Sequence, residues 1–111
     1  IDDKGMITLF NNEAERIFKM KKEEVLNESI KILPINNKML KVLGQGIEET
    51  GEIHYIKNGV IASNHVPIII DSKVLGVISS FQDITEIQKI EQKFRENLNK
   101  KVLLQNIRFL I

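Results

Sequence analysis

Cysteine and tryptophan are both absent from these 111 residues, and there are only two prolines, one tyrosine and five phenylalanines. The missing cysteine excludes a disulfide framework, a thiolate metal site and a thiol nucleophile. It suits a reducing cytoplasm, the expected location. With aromatics at 5%, the core must come mainly from Ile, Leu and Val, whose β-branched members favour strands. An excess of one charge is missing too. Sixteen Lys and Arg stand against fifteen Asp and Glu, for a net charge of +1. That balance gives no electrostatic footing for nucleic acid or an acidic membrane surface. No apolar run nears the roughly 20 residues that span a bilayer, and no signal peptide is visible. A nucleophile elbow, a metal motif and a kinase signature are also lacking, and Gly44-Gln45-Gly46 is too short for a phosphate loop. An enzyme is therefore not expected. What remains is 42% hydrophobic content, enough for one small domain. The chain begins without Met, inside what reads as a strand and turn, so a fragment of a longer protein is expected.

Residues 1–10 read as a tight turn closed at Gly5, followed by a strand up to Phe10. Asn11 is a good N-cap, and Glu13 to Met20 fit a short helix with Ala14, Ile17 and Phe18 on one face. A helical turn follows over Lys22 to Leu26, and Pro34 breaks the chain. Leu40, Leu43 and Ile47 predict a helix over 38–50, weakened by Gly44 and Gly46 and ended by Gly51. The second half reads as an antiparallel meander. A strand over 52–56 meets Asn58-Gly59, a strong hairpin signal. A strand over 60–70 contains Pro67, which predicts an edge or a bulge there. Asp71-Ser72-Lys73 turns the chain, and Val74 to Gln82 form the last strand. Asp83 or Thr85 then caps an amphipathic helix that starts near Glu86. In it Ile87, Ile90, Phe94 and Leu98 make an apolar stripe. Glu91–Arg95 and Glu96–Lys100 are spaced as i, i+4 pairs on the other side. The apolar end, residues 102–111, reads as the start of a connection to a further domain. This order predicts an α+β domain with one antiparallel sheet and small helices on one face.

The order and its local motifs resemble the PAS family over roughly residues 1–90. The resemblance rests on Asp2-Asp3-Lys4-Gly5-Met6-Ile7, on Asn11-Asn12-Glu13-Ala14-Glu15-Arg16-Ile17-Phe18, on Lys22-Glu23-Glu24-Val25-Leu26, on Pro67-Ile68, on Gly76-Val77-Ile78 and on the closing Asp83-Ile84-Thr85. Lys19 and Asn27 stand where the family usually has Gly. Lys tolerates the left-handed region less well than Asn, so the loop at Lys19 is expected to be shaped differently. The stretch from Asn64 to Pro67-Ile68, with Gly76 to Gln88, is similar to PAS domains of Firmicute enhancer-dependent activators that work with the nitrogen-type sigma factor. PAS domains of sensor histidine kinases end in much the same way.

The resemblance implies a PAS fold with a five-stranded antiparallel sheet, a sensory domain over residues 1–85, and a signalling helix with the start of a linker over 86–111. It implies regulation of an attached output, either an AAA+ transcription activator or a histidine kinase or nucleotide cyclase. The domain would sense a small-molecule ligand or act through homodimerisation, and no cofactor is named by any residue. His54 and His65, the only imidazoles, lie on strands and read as ordinary strand histidines rather than haem ligands. They form no compact metal cluster. Asn64 is either a ligand contact on the concave side of the sheet or an Asn satisfying backbone at a bulge near Pro67. Ser79 and Ser80 face opposite ways, so one points at the helices and either lines a cavity or admits a neighbour's bulk. Asp83 and Thr85 cap the outgoing helix, and in the family this motif relays the signal. The stripe Ile87, Ile90, Phe94, Leu98 is a dimer seam or core packing.

Overall fold

A computed structural model describes residues 1–57 and 59–110, with side-chain surroundings up to residue 100. The chain runs through α1 (Asn12–Phe18), α2 (Lys22–Val25), a 3-10 turn (Ile30–Ile32), α3 (Asn36–Gln45), β1 (Glu49–Ile56), β2 (Gly59–Ile70), β3 (Lys73–Asp83) and α4 (Thr85–Leu110). The architecture is α+β. The sheet is antiparallel with order β1-β2-β3, and the short helices lie on one face.

The sheet has three strands among the described residues, which corrects the expected five. The first ten residues make only two isolated antiparallel bridges, Asp2 with Gly76 and Met6 with Ser29. The reason is local. The Asp2 carboxylate accepts from the amides of Lys4 and Met6, both at 2.9 Å, and the Asp2 amide donates to the Met6 carbonyl. Residues 2–6 are thereby folded into a loop, with Gly5 at φ 77°. Ile7 then spends its backbone groups on Asn27 and Glu28, and Ile30 donates to the Gly5 carbonyl. Little backbone is left for a ladder.

Asn11 caps α1 by accepting from the Ala14 amide at 2.9 Å, as its position predicts. Lys19 and Asn27 both adopt the left-handed conformation, at φ 53° and 67°. The backbone thus takes at Lys19 the course a glycine would take, so the differently shaped loop is not found. Helix α3 spans Asn36–Gln45 and ends at Gly46, φ 68°, whose amide donates to the Val42 carbonyl. Gly51 is not its end. It lies in β1 at φ 67°, where the register with β2 shifts.

Asn58 lies outside the described residues, but Gly59, expected to share the turn with it, is instead the first residue of β2: it pairs with Ile56 and does not take a left-handed φ. The second turn is tight: Ile70 pairs with Lys73, and Asp71 and Ser72 take φ 50° and 63°, the pair of positive values a two-residue type I′ hairpin requires. Pro67 sits inside β2, the middle strand. It is accommodated because β1 pairs with β2 only as far as His65, which leaves Pro67 locally at an edge. Its partner Val77 exchanges backbone hydrogen bonds with Ile1 on its far side. The Pro67–Val77 pair is therefore a non-hydrogen-bonded one, and no ladder bond is lost at the missing N–H.

The core lies between the helices and the inner face of the sheet. Ile7, Ile17, Val25, Ile30, Leu33, Ile35, Met39 and Val42 meet Ile61 and Val77. Phe10, Phe18 and Phe81 stack at its margin, with the Phe18 and Phe81 rings edge to face at 5.1 Å. Among the described residues no helix is long and apolar enough to cross a membrane.

Candidate functional site

Side chains alternate across a strand, so Ile61, Ser63, His65 and Pro67 share the inner face of β2. Ser63 and His65 are almost fully buried there. They belong to a chain of four polar side chains that crosses all three strands. His54 Nε2 of β1 lies 2.8 Å from Ser63 Oγ. Ser63 Oγ lies 2.9 Å from His65 Nε2, and His65 Nδ1 lies 2.6 Å from Ser79 Oγ of β3. The His65 ring also packs at 6.1 Å from Phe81 and 6.3 Å from His54, measured between centroids. Burial pushes the His65 imidazole below its ordinary range, and the neighbouring His54 pushes the same way, against Glu52 and Glu49. Every fully buried side-chain nitrogen and oxygen among the described residues has a partner.

The structure puts the three pocket candidates on different faces. Ser79 points inward and meets His65. Asn64 and Ser80 are exposed on the outer face, so neither is placed to contact a ligand between sheet and helices. Parity decides this: Ser63 and His65 take the inner face, which sends Asn64 outward. There its Oδ1 accepts from the Gly51 amide at 2.9 Å, the irregular point of β1, and its Nδ2 donates to Ser80 Oγ at 3.3 Å. Asn64 thus satisfies backbone at a bulge, but at the one in β1 and not at one near Pro67. The histidine–serine chain was missed as a unit in the sequence. Its signal was available in the spacing of Ser63 and His65, two apart on a strand. The pairing with His54 and Ser79 depends on register.

Asp83 and Thr85 stand where β3 passes into α4. Thr85 Oγ1 donates to Asp83 Oδ1 at 2.6 Å and accepts from the Val60 amide at 3.0 Å. Asp83 Oδ1 also accepts from the Thr85 amide at 3.0 Å, one of the amides a helix start leaves free. The Ile84 amide donates to the Val60 carbonyl. The beginning of α4 is therefore tied to the beginning of β2. These bonds, the Thr85 hydroxyl first, hold the Asp83 carboxyl below the usual carboxylate range. Arg16 of α1 adds a longer ion pair to Asp83 at 3.8 Å.

Beyond Thr85 the helix leaves the sheet. Ile87, Ile90, Phe94 and Leu98 are each more than half exposed, so the stripe is not packed in this chain's core. Arg95 pairs with Glu91 on the other side, while Glu96 accepts from Gln92 at 3.5 Å. On the outer face of the sheet Tyr55, Ile78, Val66 and Ile53 are exposed as well. Tyr55 and the α4 residues Gln88, Glu91, Gln92 and Arg95 line an open cleft of about 330 Å³. The side chains of residues 102–110, expected to lead into a further domain, lie outside those described, as does Ile111. Among the described residues no three metal-ligating side chains converge.

The family model for the PAS domain matches residues 1–86, from the first turn to the start of α4. The chain belongs to the PAS domain family. Among its relatives, the PAS domain is 29% identical to the transcriptional activator RocR of Bacillus subtilis, over 91% of this chain and 23% of that protein. It is 31% identical to a probable C4-dicarboxylate sensor kinase of Bacillus subtilis, over 84% of this chain and 17% of that one. The chain thus spans less than a quarter of either relative. The solved PAS domain of the histidine kinase ThkA superposes with a TM-score of 0.67 at 25% identity, covering 75% of this chain and 93% of that one. This is a PAS signalling domain of the kind bacterial regulators carry, and transcriptional activators and sensor kinases both occur among its relatives.

Proposed function

We propose that this PAS domain is the cytoplasmic sensory part of a bacterial transcription activator with an AAA+ output, with residues 1–85 as the sensor and 86–111 as the signalling helix and the start of the linker. The observation that carries this reading is the Thr85 hydroxyl, shared between the Asp83 carboxylate and the Val60 amide. A change of twist in the sheet moves Val60 and Asp83 relative to each other, and Thr85 converts that into a change at the first turn of α4. The similarity to RocR over nearly the whole chain supports an activator output. The exposed stripe Ile87, Ile90, Phe94, Leu98 supports a homodimer joined along α4. A small molecule bound between the sheet and α1, beside Phe18 and Phe81, would be one input, and a change in dimer packing another.

The test uses the full-length protein and its Thr85→Val variant. The reading expects ATP hydrolysis without protein phosphorylation, and an output level that the variant changes while the sensor stays folded. Phosphate retained on a histidine would replace the activator by a sensor kinase, the output its other relatives favour. An output unchanged in Thr85→Val would remove the relay. In the isolated chain, Phe94→Glu should turn a dimer into a monomer by sedimentation. A monomeric parent chain would remove the seam.

A further inference from the structure

The chain His54–Ser63–His65–Ser79 is linear, three hydrogen bonds joining four side chains. A neutral imidazole donates from one nitrogen and accepts at the other, and a hydroxyl donates once. The four groups can therefore be satisfied in two directions. In the first, His54 Nε2–H donates to Ser63, Ser63 donates to His65 Nε2, and His65 Nδ1–H donates to Ser79. In the second, Ser79 donates to His65 Nδ1, His65 Nε2–H donates to Ser63, and Ser63 donates to His54 Nε2. The two directions place the His65 proton on opposite nitrogens.

We propose that His54 and His65 form a one-proton site spanning the sheet, in which a proton taken up by His54 locks the chain in the first direction. Cationic His54 donates from both nitrogens, so Ser63 must accept from it and turn its own hydrogen to His65 Nε2. His65 then holds its proton on Nδ1, and Ser79 becomes an acceptor. The second imidazole stays neutral. It is fully buried, and as a cation it would face a second cation through one shared hydroxyl. The entry point is His54, which is only partly buried. The charged groups that act on His65 come from two elements. Glu52 and Glu49 of β1 face it and favour a cation, and Lys38 of α3 opposes one. Glu52 is balanced by Lys38 at 3.5 Å and Glu49 by Lys41 at 2.9 Å. From β3 come only Ser79 and the Phe81 ring, behind which Phe18 of α1 is packed. The site joins β1, β2 and the strand that ends at Asp83, so proton uptake at one edge of the sheet is read at the other.

The experiment is a long-range ¹⁵N–¹H NMR titration of the imidazoles in the 111-residue chain from pH 8 to pH 5. His54 should become cationic. Over that same transition the His65 nitrogen shifts should move from a mixture of tautomers to Nδ1–H, without His65 itself becoming a cation. In Ser63→Ala the linked movement of His65 should vanish while His54 still titrates. A His65 tautomer that does not change across the His54 transition would overturn the proposal, as would a His65 cation formed before or together with that of His54. A linked movement that persists in Ser63→Ala would overturn it as well. The parent titration needs no variant, so the test survives if Ser63→Ala fails to fold.

Discussion

A Cβ on Gly59 would lie 2.5 Å from Thr85 Oγ1. The start of β2 and the first residue of α4 are therefore packed with no room for a side chain between them, and the Val60 amide reaches the Thr85 hydroxyl because of it. Gly59→Ala should push Thr85 away and break that bond. The expected result is faster amide exchange at Val60 and through the first turn of α4, with the rest of the sheet unchanged. Thr85→Val keeps the shape and removes the acceptor, at a cost of about 1–2 kcal/mol in denaturant unfolding. Unchanged exchange at Val60 in both variants would show that the clamp does not hold the helix.

Gly76 serves the other end of β3. A Cβ there would collide with the Ile1 carbonyl oxygen, where Ile1 and Val77 exchange backbone hydrogen bonds. Gly76→Ala should lower stability by roughly 1–3 kcal/mol and release residues 1–2 from the sheet edge. Loss of amide protection at Val77 would report this directly.

Ile61 is the large aliphatic residue that β2 contributes to the buried core, at 1% exposure. Ile61→Val should cost roughly 0.5–1.5 kcal/mol and Ile61→Ala roughly 2–5 kcal/mol, the range depending on how far the cavity relaxes. Equal and small effects of both would mean that the helices do not bear on this face of the sheet.

Burial lowers the His65 imidazole below its ordinary value of about 6.5. Below that value the unfolded chain takes up a proton that the folded chain refuses, so stability is greatest above it and declines as the pH falls toward the lowered folded value. Urea unfolding between pH 7.5 and 5 should show this slope in the parent chain and a shallower one in His65→Gln. A slope of the opposite sign would mean that the folded state binds the proton more tightly.

Much of this domain is legible from residue order. Asn11 before an apolar-periodic run marks the start of α1, Asp71-Ser72 marks a tight hairpin, and Asp83-Ile84-Thr85 marks the passage from strand to helix. Each signal is local, because caps and turns depend on the φ/ψ preferences of a few neighbouring residues. The left-handed backbone at Lys19 is not legible in this way. The residue is a poor choice for that conformation, yet it takes it as the left-handed cap that ends α1. The strand count is not legible for a related reason. Residues 6–10 are apolar enough to read as a strand, but the backbone hydrogen bonds of this segment go to the Asp2 loop and to residues 27–28.

By itself the sequence determined the meander, its turn at Asp71-Ser72, the amphipathic run after Thr85 and the absence of thiol chemistry. All of these follow from composition and short-range pattern. Only the tertiary structure decided which strand face looks inward, and with it the fate of each polar residue. Asn64 went outward to mend a bulge and Ser80 outward to accept from it, while His54, Ser63, His65 and Ser79 were brought together across three strands. Register is a relationship between segments far apart in the chain. A shift of one residue would exchange the two faces, and the buried pairing of Ile61 and Val77 with the helices chose between them.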